Sequence, residues 1–254
     1  MALVNIPANS ATHSGGNSTT FSRRKNSIIN ISINHWRVII MNIKESNVNE
    51  VLDMLIRTRR SVRNFTNEVP SKELVEQIVE AGRLAPYAIL AVAKQNDFRH
   101  FIVISKNTPA IDKIKSILKD LMKSQISKHE KDAQDNKTLQ SYITSLSMQV
   151  EKGALGVGSA PYLIIVAERH GIPPIEQKSL SHIMQNMWLK TTALGLGFGL
   201  VSAIGRLSDN KEFCDIIGLP IGEYGFDACT VGFQVTSVNR EGRDIPYKSI
   251  KWID

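Results

Sequence analysis

The run Pro161-Tyr-Leu-Ile-Ile-Val-Ala167 constrains this chain more than any other segment. It holds no charge and is followed at once by Glu168 and Arg169, so it reads as a strand buried on both faces. Phe98 to Ile104 and Thr230 to Val235 read as further strands. Helical spacing fills much of the rest. Val48, Val51, Leu52, Leu55 and Ile56 fall on one face, and Asn47 with Glu50 resembles a capping box. Pro70-Ser71 opens a second helix with Leu74, Ile78 and Ala81 facing one way, and Ala85-Pro86 closes it. Residues 109–132 and 137–152 read as amphipathic, lysine-rich helices around a polar break at Asp132–Lys137. Ser179 to Leu194 is a helix with Ile183, Met187, Thr191 and Leu194 on one side. Glu212 to Ile217 is a short helix stopped by Gly218 and Pro220. Helices outnumber and separate the strands, so the chain reads as α+β with a small central sheet.

Composition narrows the function classes. Hydrophobic residues make up 42% and charged residues 22% of 254, which suits a globular chain. The longest apolar candidate for a membrane span, Leu194 to Ile204, is too short and is broken by Gly195, Gly197 and Gly199. Cys214 and Cys229 form no CxxC pair, which argues against a zinc ribbon and suggests a reducing compartment, the cytoplasm. A net charge of +7 invites a nucleic-acid reading. Four of those seven charges (Arg23, Arg24, Lys25 and Arg37) lie in the first forty residues, which leaves +3 for the rest. The lysines of 113–137 alternate with Asp112, Asp120, Glu130 and Asp132, and few aromatics interleave, so a strand-stacking platform is poorly supplied. No nucleic-acid or membrane partner is expected.

Residues 1–40 differ in character from the rest of the chain. Segment 7–22 is rich in Ser, Thr, Asn and Gly and has little to bury. Residues 1–40 are expected to be a disordered or dispensable tail, with a transit peptide or a true start at Met41 as the alternatives. Residues 41–254 are expected to form one domain.

Three features could carry chemistry. Arg57, Arg59, Arg60 and Arg63 cluster around Ser61. Cations near a helix C-terminus complement its dipole, which is one reading. The other is an anion clamp: arginine presents forked donors that match phosphate, and Arg59, Ser61 and Arg63 alternate where the chain becomes extended. Gly195-Leu-Gly-Phe-Gly199 looks like a dinucleotide fingerprint but lacks the preceding strand and following helix. Its glycines read instead as a helix stop and a close backbone approach. His100, His170 and His182 have no partner at metal-ligand spacing and read as polar surface or core histidines. No nucleophile or metal centre is conspicuous, which fits an enzyme whose cofactor carries the chemistry, or a binding module.

Taken in order, these segments resemble the FMN-dependent nitroreductase family. The resemblance runs through Arg59-Arg-Ser-Val-Arg-Asn-Phe65, Val69-Pro, Ile78-Val-Glu-Ala-Gly-Arg-Leu-Ala-Pro86 and Phe101-Ile-Val-Ile104. It continues in Ser159-Ala-Pro-Tyr-Leu-Ile-Ile-Val166, Gln185 to Gly197, Ile217-Gly-Leu-Pro220 and Gly232, and covers about residues 48–254. The resemblance implies an α/β sandwich of the α+β class, with a mostly antiparallel central sheet and two subunits intertwined around shared FMN sites. It implies phosphate and ribityl contacts from Arg59, Arg60, Ser61 and Arg63, with Arg243 as a late phosphate-binding arginine. Ser202 and Ala203 would follow the glycines where the backbone meets the flavin. The family's Asn-x-Gln-Pro-Trp stretch is replaced here by Pro86-Tyr-Ala-Ile-Leu-Ala-Val-Ala-Lys-Gln-Asn-Asp-Phe98, so Gln95 or Asn96 would contact the ring and Tyr87 would line a substrate pocket. Trp188 and Trp252 would be interface anchors.

The implied activity is ping-pong reduction of nitroaromatics, quinones or related small-molecule acceptors, with NADH or NADPH as transient donor. The same fold can carry dehalogenation or ene reduction, or serve as a non-catalytic FMN sensor.

Overall fold

The structure is a computed structural model and describes residues 48–87, 91–92, 97–154, 156–235 and 250–253. The expected tail 1–40, Met41, Asn47, Gln95, Asn96 and Arg243 lie outside the described residues.

The strands are β1 (Arg99–Ser105), β2 (Tyr162–Arg169), β3 (Gly197–Leu200) and β4 (Tyr224–Gly232). They form one sheet in the order β1-β2-β4-β3, with every pair antiparallel. The helices are α1 (Val48–Thr58), α2 (Lys72–Arg83), α3 (Pro109–His129), α4 (Lys137–Lys152), α5 (Glu176–Ala193) and α6 (Lys211–Ile217). A 3₁₀ turn, Ser202–Arg206, follows β3.

The apolar run is β2, a central strand buried along all but its last residue. Its side chains alternate between two cores. Leu163, Ile165 and Ala167 pack with Ile114 and Leu118 of α3 and Phe213 of α6. Tyr162, Ile164 and Val166 pack with Ile78 of α2 and Ile183 and Met187 of α5. The result is three layers, helix–sheet–helix. Burying each large side chain of this kind contributes about 1.5–3 kcal/mol, which is why a charge-free run belongs in this place.

Three elements depart from the sequence reading. The last strand is expected at Thr230–Val235 but runs Tyr224–Gly232. Gly225 and Asp227 break its apolar pattern, yet Gly225 is needed because a Cβ there would meet the Glu176 and Gln177 side chains of α5. Beyond Gly232 the chain pairs with a different partner, Phe65 opposite Gln234. The glycine segment 197–200 is itself a strand. Its expected roles are also present. Gly195 adopts φ 75° just past the Leu194 cap, and a Cβ at Gly197 would come within 2.9 Å of Val62. Finally, α3 ends at His129, and α4 restarts where the Asn136 side chain accepts from the N–H groups of Thr138 and Leu139.

Candidate functional site

The arginine cluster follows α1. Where the helix ends, the Thr58 hydroxyl donates to the Met54 carbonyl at 2.7 Å. The chain then becomes extended and lies along the edge of the sheet. Ser61 bridges Phe198 of β3, and the Val62 N–H donates to the Phe198 carbonyl at 2.8 Å. Further on, the Thr66 N–H donates to Phe233 and the Val235 N–H to Asn64. Val62 points inward, buried against Gly197, so Ser61 and Arg63 point the other way and are exposed.

The four candidate residues do different things. Arg60 folds back, and its Nη1 donates to the carbonyls of Arg57 at 2.7 Å and Arg59 at 2.9 Å. That is the helix-end role read from the sequence, since a cation there meets carbonyls left open by the last turn. Arg59 lies over the Trp188 ring, 4.4 Å from its centroid. Trp188 stacks on Phe198 at 4.9 Å, and its Nε1 donates to the Arg60 carbonyl at 3.2 Å. Trp188, read from sequence as an interface anchor, thus packs within its own chain against β3 and the arginine segment. Trp252 is exposed.

Ser202 and Ala203 open the turn after β3. They line a cavity of about 160 Å³ with Leu121, Met122 and Gln125 of α3 and Tyr142 of α4. Nη1 of Arg206 donates to the Tyr142 hydroxyl at 3.2 Å. Ser202 lies four residue steps along the chain from Phe198, about 13 Å at 3.3 Å per residue.

Tyr87 lies elsewhere. Its ring packs on Phe98 at 4.4 Å, and the Arg99 guanidinium sits 5.4 Å from it. Arg99 pairs with Glu168 at 2.7 Å, with side chains 6% and 3% exposed, and also donates to the Ala85 carbonyl. Glu168 stands opposite Gly225, at the start of β4, whereas the arginine segment meets β3 beside Val231 at its end. Six residue steps of strand between Gly225 and Val231 span about 20 Å. Within one chain the structure therefore groups Arg59, Arg60, Ser61 and Arg63, and holds Tyr87 at the other end of the sheet.

Sequence reasoning passed over two clusters at the Tyr87 end. His170 Nδ1 lies 2.8 Å from Glu176 Oε1, and its Nε2 lies 3.4 Å from the Ser208 hydroxyl. Arg169 pairs with Glu223 and donates to the Tyr224 hydroxyl. Except for His170 and Glu176, six residues apart, these partners are distant in sequence, and none follows a spacing rule. On β4, burial pushes the Asp227 carboxyl up from 3.8 to about 6, partly offset by the Ala228 N–H it accepts. Both cysteines are free and buried, and burial raises both thiols. Among the described residues no three His, Cys, Asp or Glu side chains are grouped to hold a metal, and no helix is long and apolar enough to cross a membrane.

The pattern of the nitroreductase family matches residues 56–233, most of the chain and all of the sheet. The chain belongs to the nitroreductase family. No curated protein sequence matches it. Among solved structures, it resembles an FMN-bound nitroreductase of Bacteroides fragilis NCTC 9343 at 20% identity, over 82% of this chain and 100% of that one, with a TM-score of 0.57. It resembles an FMN-bound nitroreductase of Desulfitobacterium hafniense DCB-2 at 22% identity, over 80% and 98%, with a TM-score of 0.55. An FMN-dependent nitroreductase of Clostridium difficile R20291 gives 20% identity, 79% and 98% coverage and a TM-score of 0.50. At these identities the likeness establishes the nitroreductase fold.

Proposed function

We propose that this nitroreductase-family protein is an FMN-dependent NAD(P)H oxidoreductase acting on nitroaromatics, quinones or related acceptors in ping-pong fashion. The observation that carries the reading is the edge segment 59–63. Its pairing with Phe198 turns Ser61 and Arg63 outward beside Arg59, a hydroxyl and two forked cations suited to a phosphate dianion. The donor chemistry fits the FMN phosphate.

Arg59, Ser61 and Arg63 would hold that phosphate, joined by Arg243. Arg60 would act through the turn, because its guanidinium bonds the backbone carbonyls of Arg57 and Arg59 just ahead of it. The backbone at Ser202 and Ala203 would face the ring, with Gln95 or Asn96 as its side-chain contact. FMN bound there would supply two-electron chemistry between the nicotinamide and the acceptor. The fixed N–H groups and cations of this chain would stabilise the negative charge that develops at the site. We assign no side chain as general acid, and protons come from solvent.

The working unit is a homodimer. Tyr87 and the arginine segment lie at opposite ends of one sheet, with about 20 Å of strand between those ends, so the two halves of the expected site would not meet within one chain. A second copy can bring them together. The apolar side chains of α1 support this, since Val48, Leu52 and Ile56 are exposed and α1 buries none of its residues. Two buried free thiols suit a reducing compartment, and we place the protein in the cytoplasm.

The test is a visible spectrum of the purified full chain before and after anaerobic NADH or NADPH. A yellow protein that bleaches and recovers with a nitroaromatic or a quinone is expected. A colourless protein that takes up no added FMN refutes the reading. Light scattering of the Leu52→Glu, Ile56→Glu variant tests the dimer: the variant is expected to be monomeric and to have lost FMN, and a dimer that keeps FMN would count against the α1 interface.

A further inference from the structure

We propose that Trp188 is the positioning residue of the anion clamp, fixing Arg59 and the turn that carries it; the inference rests on the FMN reading above. Trp188 makes three contacts that meet at the motif. Its ring bears the Arg59 guanidinium at 4.4 Å. It stacks on Phe198 at 4.9 Å and 16° between planes. Its Nε1 donates to the Arg60 carbonyl at 3.2 Å. Phe198 is fully buried and is also the residue that pairs with Ser61 and accepts from Val62. One aromatic column therefore ties the arginine side chain and the motif backbone to the same rigid strand.

The chemistry favours this arrangement. An arginine side chain has many rotamers, and ordering it when a ligand arrives reduces affinity. Stacking on an indole fixes it beforehand. Stacking also engages the face of the guanidinium, whereas its N–H donors lie in the plane, so a stacked arginine keeps the geometry for a bidentate phosphate contact. The indole N–H holds the Arg60 carbonyl and so fixes the peptide that leads into Ser61. Trp188 touches no reacting atom in this role. It acts through Arg59.

The experiment is FMN binding to the full chain, read by quenching of flavin fluorescence, with thermal midpoints measured alongside. Trp188→Leu removes both stack and donor and is expected to raise the FMN Kd about tenfold or more. Trp188→Phe keeps a ring and is expected to lose about threefold, and it serves if the leucine variant fails to fold. Arg59→Ala is expected to weaken binding to a similar degree. Adding Trp188→Leu, or Trp188→Phe, to Arg59→Ala is expected to cost little more, because the tryptophan works through that arginine. Wild-type affinity in both tryptophan variants, with Arg59→Ala weakened, would overturn the proposal. Fully additive effects would overturn it too, since they would mean that Trp188 acts through the fold at large. A wild-type chain that binds no FMN would instead overturn the FMN reading, and this proposal with it.

Discussion

Asp227 lies on β4 opposite Val166, on the face of the sheet that carries Cys229 and Val231 and packs against α5. Its carboxyl is raised from 3.8 to about 6 by burial, and its Oδ1 accepts from the Ala228 N–H at 2.8 Å. The folded chain thus holds this proton more tightly than the unfolded chain. Stability from this group is greatest at low pH and is lost as pH rises from about 4 to about 6. Two pKa units correspond to about 3 kcal/mol, of which about 2 kcal/mol fall between pH 4.5 and pH 7.5. Asp227→Asn keeps the acceptor oxygen for Ala228 and removes the ionisation. The assay is urea unfolding of both proteins in identical buffers across that range. The variant's stability relative to wild type is expected to improve by about 2 kcal/mol from the acid to the neutral end, which corresponds to roughly 4–8 °C in Tm for a chain of this size. Other titrating groups cancel in the difference. Parallel stability curves would refute the reasoning, because they would mean that burial costs this carboxylate nothing.

Gly197→Ala would press a methyl into Val62, whose side-chain atoms lie 2.9 to 3.1 Å from the new Cβ. It should destabilise by about 1–3 kcal/mol and weaken FMN binding, since Val62 anchors the arginine segment, and Val62→Ala should restore part of both; an unchanged Tm would argue that the strand shifts freely. Arg99→Ala leaves Glu168 buried without its cation and should cost about 3–5 kcal/mol in denaturant titration, whereas replacing both with leucine should recover most of that loss. Arg60→Ala should lower stability by about 1 kcal/mol and cost less FMN affinity than Arg63→Ala, because Arg60 is bonded to backbone carbonyls; equal losses of affinity in the two variants would put Arg60 in direct contact with the phosphate.

Much of the fold was legible in the sequence, and for particular reasons. Burial period does not depend on distant partners, so β2, the helix at 137–152 and, to within a few residues, the helices at 72–83 and 176–193 could be read locally. The early boundary of β4 could not. Its first half carries Gly225 and Asp227, and only the approach of α5 explains the glycine. The site was legible as composition: the arginine motif and its alternation stand in the sequence. How the cluster divides was not, because the sequence offered a helix-end role and an anion-clamp role for one set of residues. In the structure Arg60 takes the first, while Arg59 stacks on Trp188 and Ser61 and Arg63 are exposed; the anion clamp is our proposal for those three.

The sequence by itself determined that one strand would be covered on both faces, that helices would supply the cover, and that a cationic, hydroxyl-bearing turn would follow α1. These follow from side-chain polarity and backbone geometry over a few residues. The covered run itself did not say how the strand pairs, since a charge-free run records only that both faces are buried; the antiparallel sheet came from the family resemblance, and the structure bears it out. Tertiary structure alone decided that Trp188, 129 positions after Arg59, would lie beneath its guanidinium, and that Tyr87 would stand at the other end of the sheet, with about 20 Å of strand between those ends. Such contacts join residues distant in sequence, and no local pattern encodes which of them will meet.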